Sequence, residues 1–307
     1  MALSRRDFVC LSGAALAAPA VARLLPESPQ AARVPQRSLG KTGWKASILA
    51  LGSAELPAQE ESVRAIQALI DGGVNYLDTA PSYQGTRSES SIGIVLKSRR
   101  KEVFLATKTL RRDADGAHNE VRESLRRLQT DRIDLLQVHA VNDFGTLDRV
   151  LSKGGAVEGL QRAKKDGLIR FIGITGHTRP EVFLKALDEF PFDSILVPVS
   201  ALDAGLHDFA KEVIPKANKL GIAVVGMKSL KGVERAQGGR FAAERFVRYA
   251  LSLPIDTLTI GIRRETEAAQ NLSYARSFQA MRASEMRSLE DEVRPLATYD
   301  NLWWKRR

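Results

Sequence analysis

The stretch ILALGSAELP, residues 48–57, reads as a short apolar strand that ends at Gly52 and passes into a turn. An open, doubly wound nucleotide-binding sheet carries a glycine-rich turn after its first strand. Ser53-Ala54-Glu55-Leu56-Pro57 supplies none. The same unit then recurs down the chain: a β-branched apolar run, a polar turn, and an amphipathic stretch of helical period. Strands are expected at 48–52, 75–79, 103–108, 133–139, 171–176, 194–200, 222–228 and 257–262. Helices are expected at 61–71, 88–98, 116–128, 157–166, 180–190, 208–220 and 241–251, with an eighth starting near Arg264. Gly72, Gly167 and Gly221 follow helix candidates and read as left-handed C-terminal caps. Eight alternations at this spacing predict an α/β fold, a closed (β/α)8 TIM barrel. Before the first strand, RSLGKTGWKASIL (residues 37–49) reads as a β-hairpin turning at Lys41-Thr42-Gly43. Gly40-Lys41-Thr42 superficially resembles the end of a phosphate-binding loop, but that motif needs Gly at position 35, which is Pro.

Two segments are expected: residues 1–32 as a signal peptide with a short linker, and 33–307 as one barrel with a C-terminal tail. The opening residues place Arg5-Arg6 before an apolar run from Phe8 to Ala22, which ends in the small residues of an A-x-A cleavage pattern. The run is short for a membrane-spanning helix, which needs about 20 apolar residues. Ser4-Arg5-Arg6-Asp7-Phe8-Val9 resembles a twin-arginine export signal, which implies the twin-arginine machinery as a partner and a periplasmic destination for a folded passenger. Cys10, the single cysteine, lies inside that segment, so no intramolecular disulfide is available.

The chain has 307 residues, 44% hydrophobic and 27% charged, ordinary values for a globular domain with a sizeable core. Its formal net charge of +10 arises from scattered pairs such as Arg99-Arg100 and Lys164-Lys165. No basic block interleaved with aromatics occurs, so nucleic acid is not an expected partner. The four histidines are far apart and lack cysteine partners, so no metal site is expected.

Polar residues at the C-terminal ends of barrel strands face the active-site mouth. GGVNYLDTAPSYQG (72–85) places Asp78 at a strand end and Tyr83 in the turn after it. VFLATK ends in Lys108 and RIDLLQVH in His139. Each alone reads as a cap or a solvated loop residue, but in barrel register all four reach one rim. These stretches, with RSLGKTGWKASILALG, GLIRFIGITGH and GIRRETEAAQNL, resemble the aldo-keto reductases over residues 37–272. The resemblance implies reversible reduction of a small aldehyde or ketone by a nicotinamide dinucleotide, with Asp78, Tyr83, Lys108 and His139 as the catalytic tetrad. Chemically, Tyr83 protonates the carbonyl oxygen and Lys108 lowers its pKa. Asp78 holds Lys108 charged, and His139 hydrogen-bonds the carbonyl oxygen.

The implied cofactor contacts depart from the family pattern in several places. Its Ser-Asn pair is replaced by Thr175 and His177, its carboxamide-binding Gln by Leu196, and its stacking aromatic by Met227, followed by Lys228. Gly261, Gln270 and Asn271 correspond to the adenosine end. Glu267 stands where a basic residue often meets the 2′-phosphate, and Arg263 and Arg264 are expected to compensate, which favours NADPH over NADH. The second reading, a non-catalytic dinucleotide-binding regulatory or scaffold barrel, gives no reason for four intact tetrad residues. The loop from Ala140 to Gly159 is short and lacks notable aromatic content. Trp303 and Trp304 read first as an anchor of the tail on the barrel.

Overall fold

The computed structural model describes residues 33–233 and 241–306. Residues 1–32, expected as a signal peptide with a short linker, lie outside the described residues.

A hairpin comes first: β1 (Gln36–Ser38) pairs antiparallel with β2 (Lys45–Ser47), joining Gln36 to Ser47 and Ser38 to Lys45. Its turn requires glycine at Gly40. There φ is +47°, and a Cβ would stand 2.4 Å from the Ala223 backbone nitrogen. The hairpin is thereby pressed onto the barrel wall. Arg37 ties it down further, donating to the carbonyls of Ile255 (2.7 Å) and Leu251 (2.8 Å).

Eight parallel strands follow: β3 (Leu49–Gly52), β4 (Tyr76–Asp78), β5 (Phe104–Thr109), β6 (Ile133–Val138), β7 (Ile169–Thr175), β8 (Ser194–Pro198), β9 (Ala223–Met227) and β10 (Thr257–Gly261). Each pairs with the next, and β10 returns to β3, closing the predicted barrel. Residues two apart on a strand share a face. The inward face of β4 is Tyr76 then Asp78; that of β5 is Phe104, Ala106 and Lys108; that of β6 is Leu135 and Gln137. The lower members of each series join Ala50, Leu196 and Val225 in a buried interior cluster. Tyr76 stacks on Phe104 with centroids 5.3 Å apart, and Trp44 from the hairpin reaches Phe104 at 6.0 Å, filling the N-terminal end. The upper members are polar, so the barrel is apolar below and chemically equipped at its C-terminal mouth.

The surrounding helices are α1 (Gln59–Asp71), α2 (Arg87–Arg99), α3 (Ala114–Leu128), α4 (Phe144–Leu151), α5 (Ala156–Lys165), α6 (Pro180–Glu189), α7 (Phe209–Glu212), α8 (Ile214–Leu220), α9 (Ala243–Ser252), α10 (Thr266–Arg276) and α11 (Ala283–Val293). Several expectations need correction. Gly167 and Gly221 do cap with φ of +75° and +69°, but Gly72 is right-handed at −72°, and the positive φ of +101° falls on Gly73. The helix expected over 208–220 breaks into α7 and α8 at Val213, because Pro215 cannot donate a backbone hydrogen bond and its ring crowds the preceding turn. The segment read as a plain loop after His139 contains α4, which Asp143 caps by accepting the Thr146 N–H at 2.8 Å.

The C-terminal tail returns to the mouth and is anchored there. Trp304 is buried among Leu202, Phe246, Tyr249 and Leu289. The Lys305 ammonium donates to the carbonyls of Leu206 (2.7 Å) and His207 (2.9 Å) and lies 2.8 Å from the Asp203 carboxylate, with both charged side chains almost wholly buried.

Candidate active site

The inward parity of β4, β5 and β6 brings Asp78, Lys108 and Gln137 to one layer. Lys108 donates to the Asp78 carboxylate and, at 2.8 Å, to the Thr79 carbonyl. The other Asp78 oxygen accepts from the Gln137 amide at 2.9 Å. This ion pair is 1% and 4% exposed, so solvent does not screen it. Behind it, the Ser53 hydroxyl donates to the Asp78 carbonyl at 2.7 Å, and Ser88 donates to Ser53 at 2.7 Å.

Above the pair lie the tyrosine and one histidine. The Lys108 ammonium is 4.7 Å from the centroid of the Tyr83 ring, and the ring of His139 meets that of Tyr83 edge-on at 5.9 Å. Tyr83 is carried on a constrained turn: Gln84, Gly85 and Thr86 are all left-handed, with φ of +52°, +61° and +75°. The Gln84 amide secures that turn to the Leu56 carbonyl at 2.6 Å. Non-glycine residues adopt this region at a cost, and such strain is found where a side chain must be aimed. All four tetrad candidates are therefore brought together.

Burial sets the protonation states. Burial pushes the Tyr83 phenol above its usual pKa and outweighs the downward pull of Lys108. Lys108 lowers the phenol's pKa as expected, but by less than burial raises it, so the free site holds Tyr83 as a neutral phenol. Burial alone would depress Lys108, but Asp78 and Tyr83 reverse the effect and leave the ammonium's pKa above its ordinary value. His139 is held well below the ordinary histidine pKa by burial, then by Lys108, His177, Arg112 and Lys228. Its imidazole is neutral, with a buried Nδ1 that has no partner among the described residues.

A cleft of about 360 Å³ opens from this centre across the ends of β3, β8, β9 and β10. At the tetrad end it is walled by Tyr83, Leu196 and Met227; at the far end by Gly261, Arg263, Gln270 and Asn271. Lys228 also lines it, but Thr175, His177 and Arg264 do not. Thr175 faces the Ala140 N–H at 3.5 Å, and the His177 N–H donates to the Asn142 side chain at 2.8 Å. Arg264 lies 3.2 Å from Glu267, whose other oxygen accepts the Arg263 N–H at 2.7 Å. Asn271 donates to the Gly261 carbonyl at 3.3 Å.

Several residues here carried no sequence signal of a site. Glu55 bridges the cleft mouth, accepting from Lys231 and from Arg263 (2.6 Å), and these cations drive its pKa down to about 2, with the Lys231 hydrogen bond the largest cause. Trp303 lines the same cleft, so the tail both anchors, through Trp304, and walls. Gln137 alone was readable, since it shares the strand parity of His139 two residues on.

A closed parallel barrel with an Asp–Lys ion pair beneath a tyrosine and a neutral histidine defines an α/β-barrel protein with a proton-handling site at its C-terminal mouth. A sequence model described as the Aldo/keto reductase family matches residues 48–233, and the chain belongs to that family. It is 32% identical over 214 residues to L-galactose dehydrogenase of Arabidopsis thaliana, a match covering 64% of this chain and 66% of that protein. It is 30% identical over 214 residues to aldo-keto reductase YhdN of Bacillus subtilis, covering 62% and 60% of the two chains. The chain thus spans less than two thirds of the length of either relative. Among solved structures, aldo-keto reductase AKR11C1 from Bacillus halodurans superposes with a TM-score of 0.72 at 24% identity, covering 84% of this chain and 96% of that one. An aldo-keto reductase from Klebsiella pneumoniae in complex with NADPH gives 0.69 at 19% identity, over 86% and 95%. At these identities both speak for the fold.

Proposed function

We propose that this chain is an NADPH-dependent reductase of small aldehydes or ketones. The observation that carries the reading is the buried Asp78–Lys108 pair directly beneath Tyr83, with a neutral His139 edge-on to the same ring. The cleft chemistry fits a dinucleotide. Leu196 and Met227 offer an apolar wall beside Tyr83, while Lys231, Arg263, Gln270 and Asn271 offer cations and amides farther along. NADPH held there would supply a hydride to the carbonyl carbon.

The chain's own residues handle the proton. Tyr83 enters as a neutral phenol and transfers its proton to the carbonyl oxygen. Lys108 stabilises the phenolate left behind, which makes it more important after transfer than before. Asp78 keeps Lys108 charged in a dry environment, and Gln137 fixes the orientation of Asp78. His139, neutral, donates one N–H to the carbonyl oxygen and shares the charge that develops on it. Arg263, at the far end of the cleft, favours the 2′-phosphorylated cofactor, although it already meets the Glu55 carboxylate. The relatives' names, L-galactose dehydrogenase and pyridoxal 4-dehydrogenase among them, support chemistry between a hydroxyl and a carbonyl on a small molecule. The test is a carbonyl panel with NADPH and NADH as parallel donors. The reading requires turnover of at least one carbonyl with tighter binding of NADPH, and tighter NADH binding overturns the cofactor preference. A non-catalytic role has no observation in its favour.

Export through the twin-arginine machinery to the periplasm is part of the same proposal, supported by Ser4-Arg5-Arg6-Asp7-Phe8-Val9 and the apolar run after it. Because nicotinamide dinucleotides are made in the cytoplasm, the passenger travels folded with its cofactor. Arg5→Lys/Arg6→Lys should retain the protein in the cytoplasm. Unchanged fractionation of that variant overturns the assignment.

A further inference from the structure

Three lysine or arginine residues line the cleft: Lys228, Lys231 and Arg263. Two of them share the Glu55 carboxylate. Nearby buried lysines are also matched, Lys108 by Asp78 and Lys305 by Asp203. Lys228 differs. Among the described residues no carboxylate lies within ion-pairing distance of its ammonium and no acceptor takes a hydrogen bond from it; its recorded neighbour is the Trp304 ring, 5.6 Å away. An ammonium has three donors, and those of Lys228, half-buried on the cleft wall, are open to a ligand in the cleft.

The backbone holds Lys228 in place against preference. It follows directly on β9 with φ of +61°, in the left-handed region that a side chain disfavours. Strain of this kind persists where the surrounding fold over-determines a residue. Trp304, over which the ammonium sits, is itself fixed by the buried Asp203–Lys305 latch.

Lys228 follows directly on Met227, which walls the tetrad end of the cleft with Tyr83 and Leu196. Lys228 contributes to the depression of both His139 and His177, and it feels Lys108 in return. Its own pKa is pushed down to about 8, by burial first and then by Lys231 and Lys108, against the opposing pull of Glu55 and Asp203. It therefore remains largely charged at neutral pH.

Resting on the reductase reading above, we propose that the Lys228 ammonium is the receptor for an anionic group on the substrate, so that the preferred substrates are aldehydes or ketones bearing a carboxylate. The carboxylate supplies the acceptor that the protein withholds. A tethered carboxylate also orients the carbonyl toward Tyr83 and His139. A diphosphate of the cofactor has the same chemistry, and the test separates the two sources.

The test compares 4-carboxybenzaldehyde with its methyl ester in the full enzyme, alongside NADPH binding followed by quenching of tryptophan fluorescence. Wild type should favour the acid by about tenfold or more in kcat/KM, chiefly through KM. Lys228→Met should erase that ratio and Lys228→Arg should retain part of it. Equal use of acid and ester by wild type overturns the proposal. So does a Lys228→Met variant that lowers both substrates equally while weakening NADPH binding, because the anion would then be the cofactor's. If neither these aldehydes nor the carbonyl panel is reduced although NADPH binds, the reductase reading fails first and this inference with it; turnover of the panel without the acid overturns this inference alone.

Discussion

Asp78→Asn removes one charge from the buried pair and leaves the shape of the site nearly intact. Lys108 keeps the Thr79 carbonyl at 2.8 Å, but it loses its counter-ion in a place where its side chain is 1% exposed. Removing one partner of a buried ion pair costs about 3–5 kcal/mol, because the remaining charge is stranded. The pH dependence gives a sharper signature than the size of the loss. In wild type the folded-state pKa of Lys108 is raised above the ordinary lysine value of 10.5, so its stabilising contribution is complete below 10.5 and is lost as pH climbs through the folded value. In the variant the raising influence of Asp78 is gone and burial, the largest lowering influence, remains. The folded pKa then falls below the unfolded one, the unfolded chain binds more protons in the interval, and stability rises with pH. Urea denaturation between roughly pH 7 and 10 should therefore show a wild-type curve that is flat or falling and an Asp78→Asn curve that climbs. The double variant Asp78→Asn/Lys108→Met should recover much of the loss. A single-variant cost under about 1 kcal/mol, or parallel pH slopes, would refute the stranded-charge reasoning.

Glu55→Gln frees Lys231 and Arg263 from a shared carboxylate, so NADPH should bind about two- to fivefold tighter; the effect is small because all three groups are substantially exposed. Unchanged or weaker binding in a fluorescence titration would show that Glu55 does not compete with the cofactor's phosphates. Lys305→Met strands Asp203 and should release the tail, detected as faster acrylamide quenching of tryptophan and earlier proteolytic loss of the C-terminus. Unaltered quenching would mean that the apolar burial of Trp304 suffices. His139 and His177 are both depressed, the latter to about 3, so the stability they confer is complete above the ordinary histidine value of 6.5 and is lost as pH falls toward the folded values. A His139→Asn/His177→Asn variant should therefore lose less stability than wild type on acidification below about 6.5, measured by thermal melts. An identical acid profile would contradict the buried neutral assignment.

The barrel was legible because short apolar runs alternate with polar turns and helical stretches, and three of those runs end in Asp78, Lys108 and His139. What escaped the sequence depends on contacts between distant segments. Gln137 alone could have been found, by its strand parity with His139 in IDLLQVH. Glu55 is one acid in a turn, and only closure of β10 onto β3 brings Arg263 to it. The direction of the Tyr83 shift also escaped, since a nearby ammonium is visible in sequence but the burial that outweighs it is not. Lys305 looks like part of a solvated basic tail, yet it is buried against Asp203, more than a hundred positions earlier. The same limit hid the difference between Trp303, which walls the cleft, and Trp304, which anchors. The helix α4 went unread because it is only eight residues long, although Phe144, Leu147, Val150 and Leu151 are spaced for one helical face and Asp143 caps it.

The most direct test of the central claim is carbonyl-dependent loss of reduced nicotinamide absorbance in wild type and in Tyr83→Phe, with NADPH affinity measured on both. Wild type should turn over, and the variant should fall by about 10²–10⁴ with NADPH binding largely retained, because only the transferable proton has been removed. Turnover by Tyr83→Phe within a few-fold of wild type would contradict the assignment of Tyr83 as the acid.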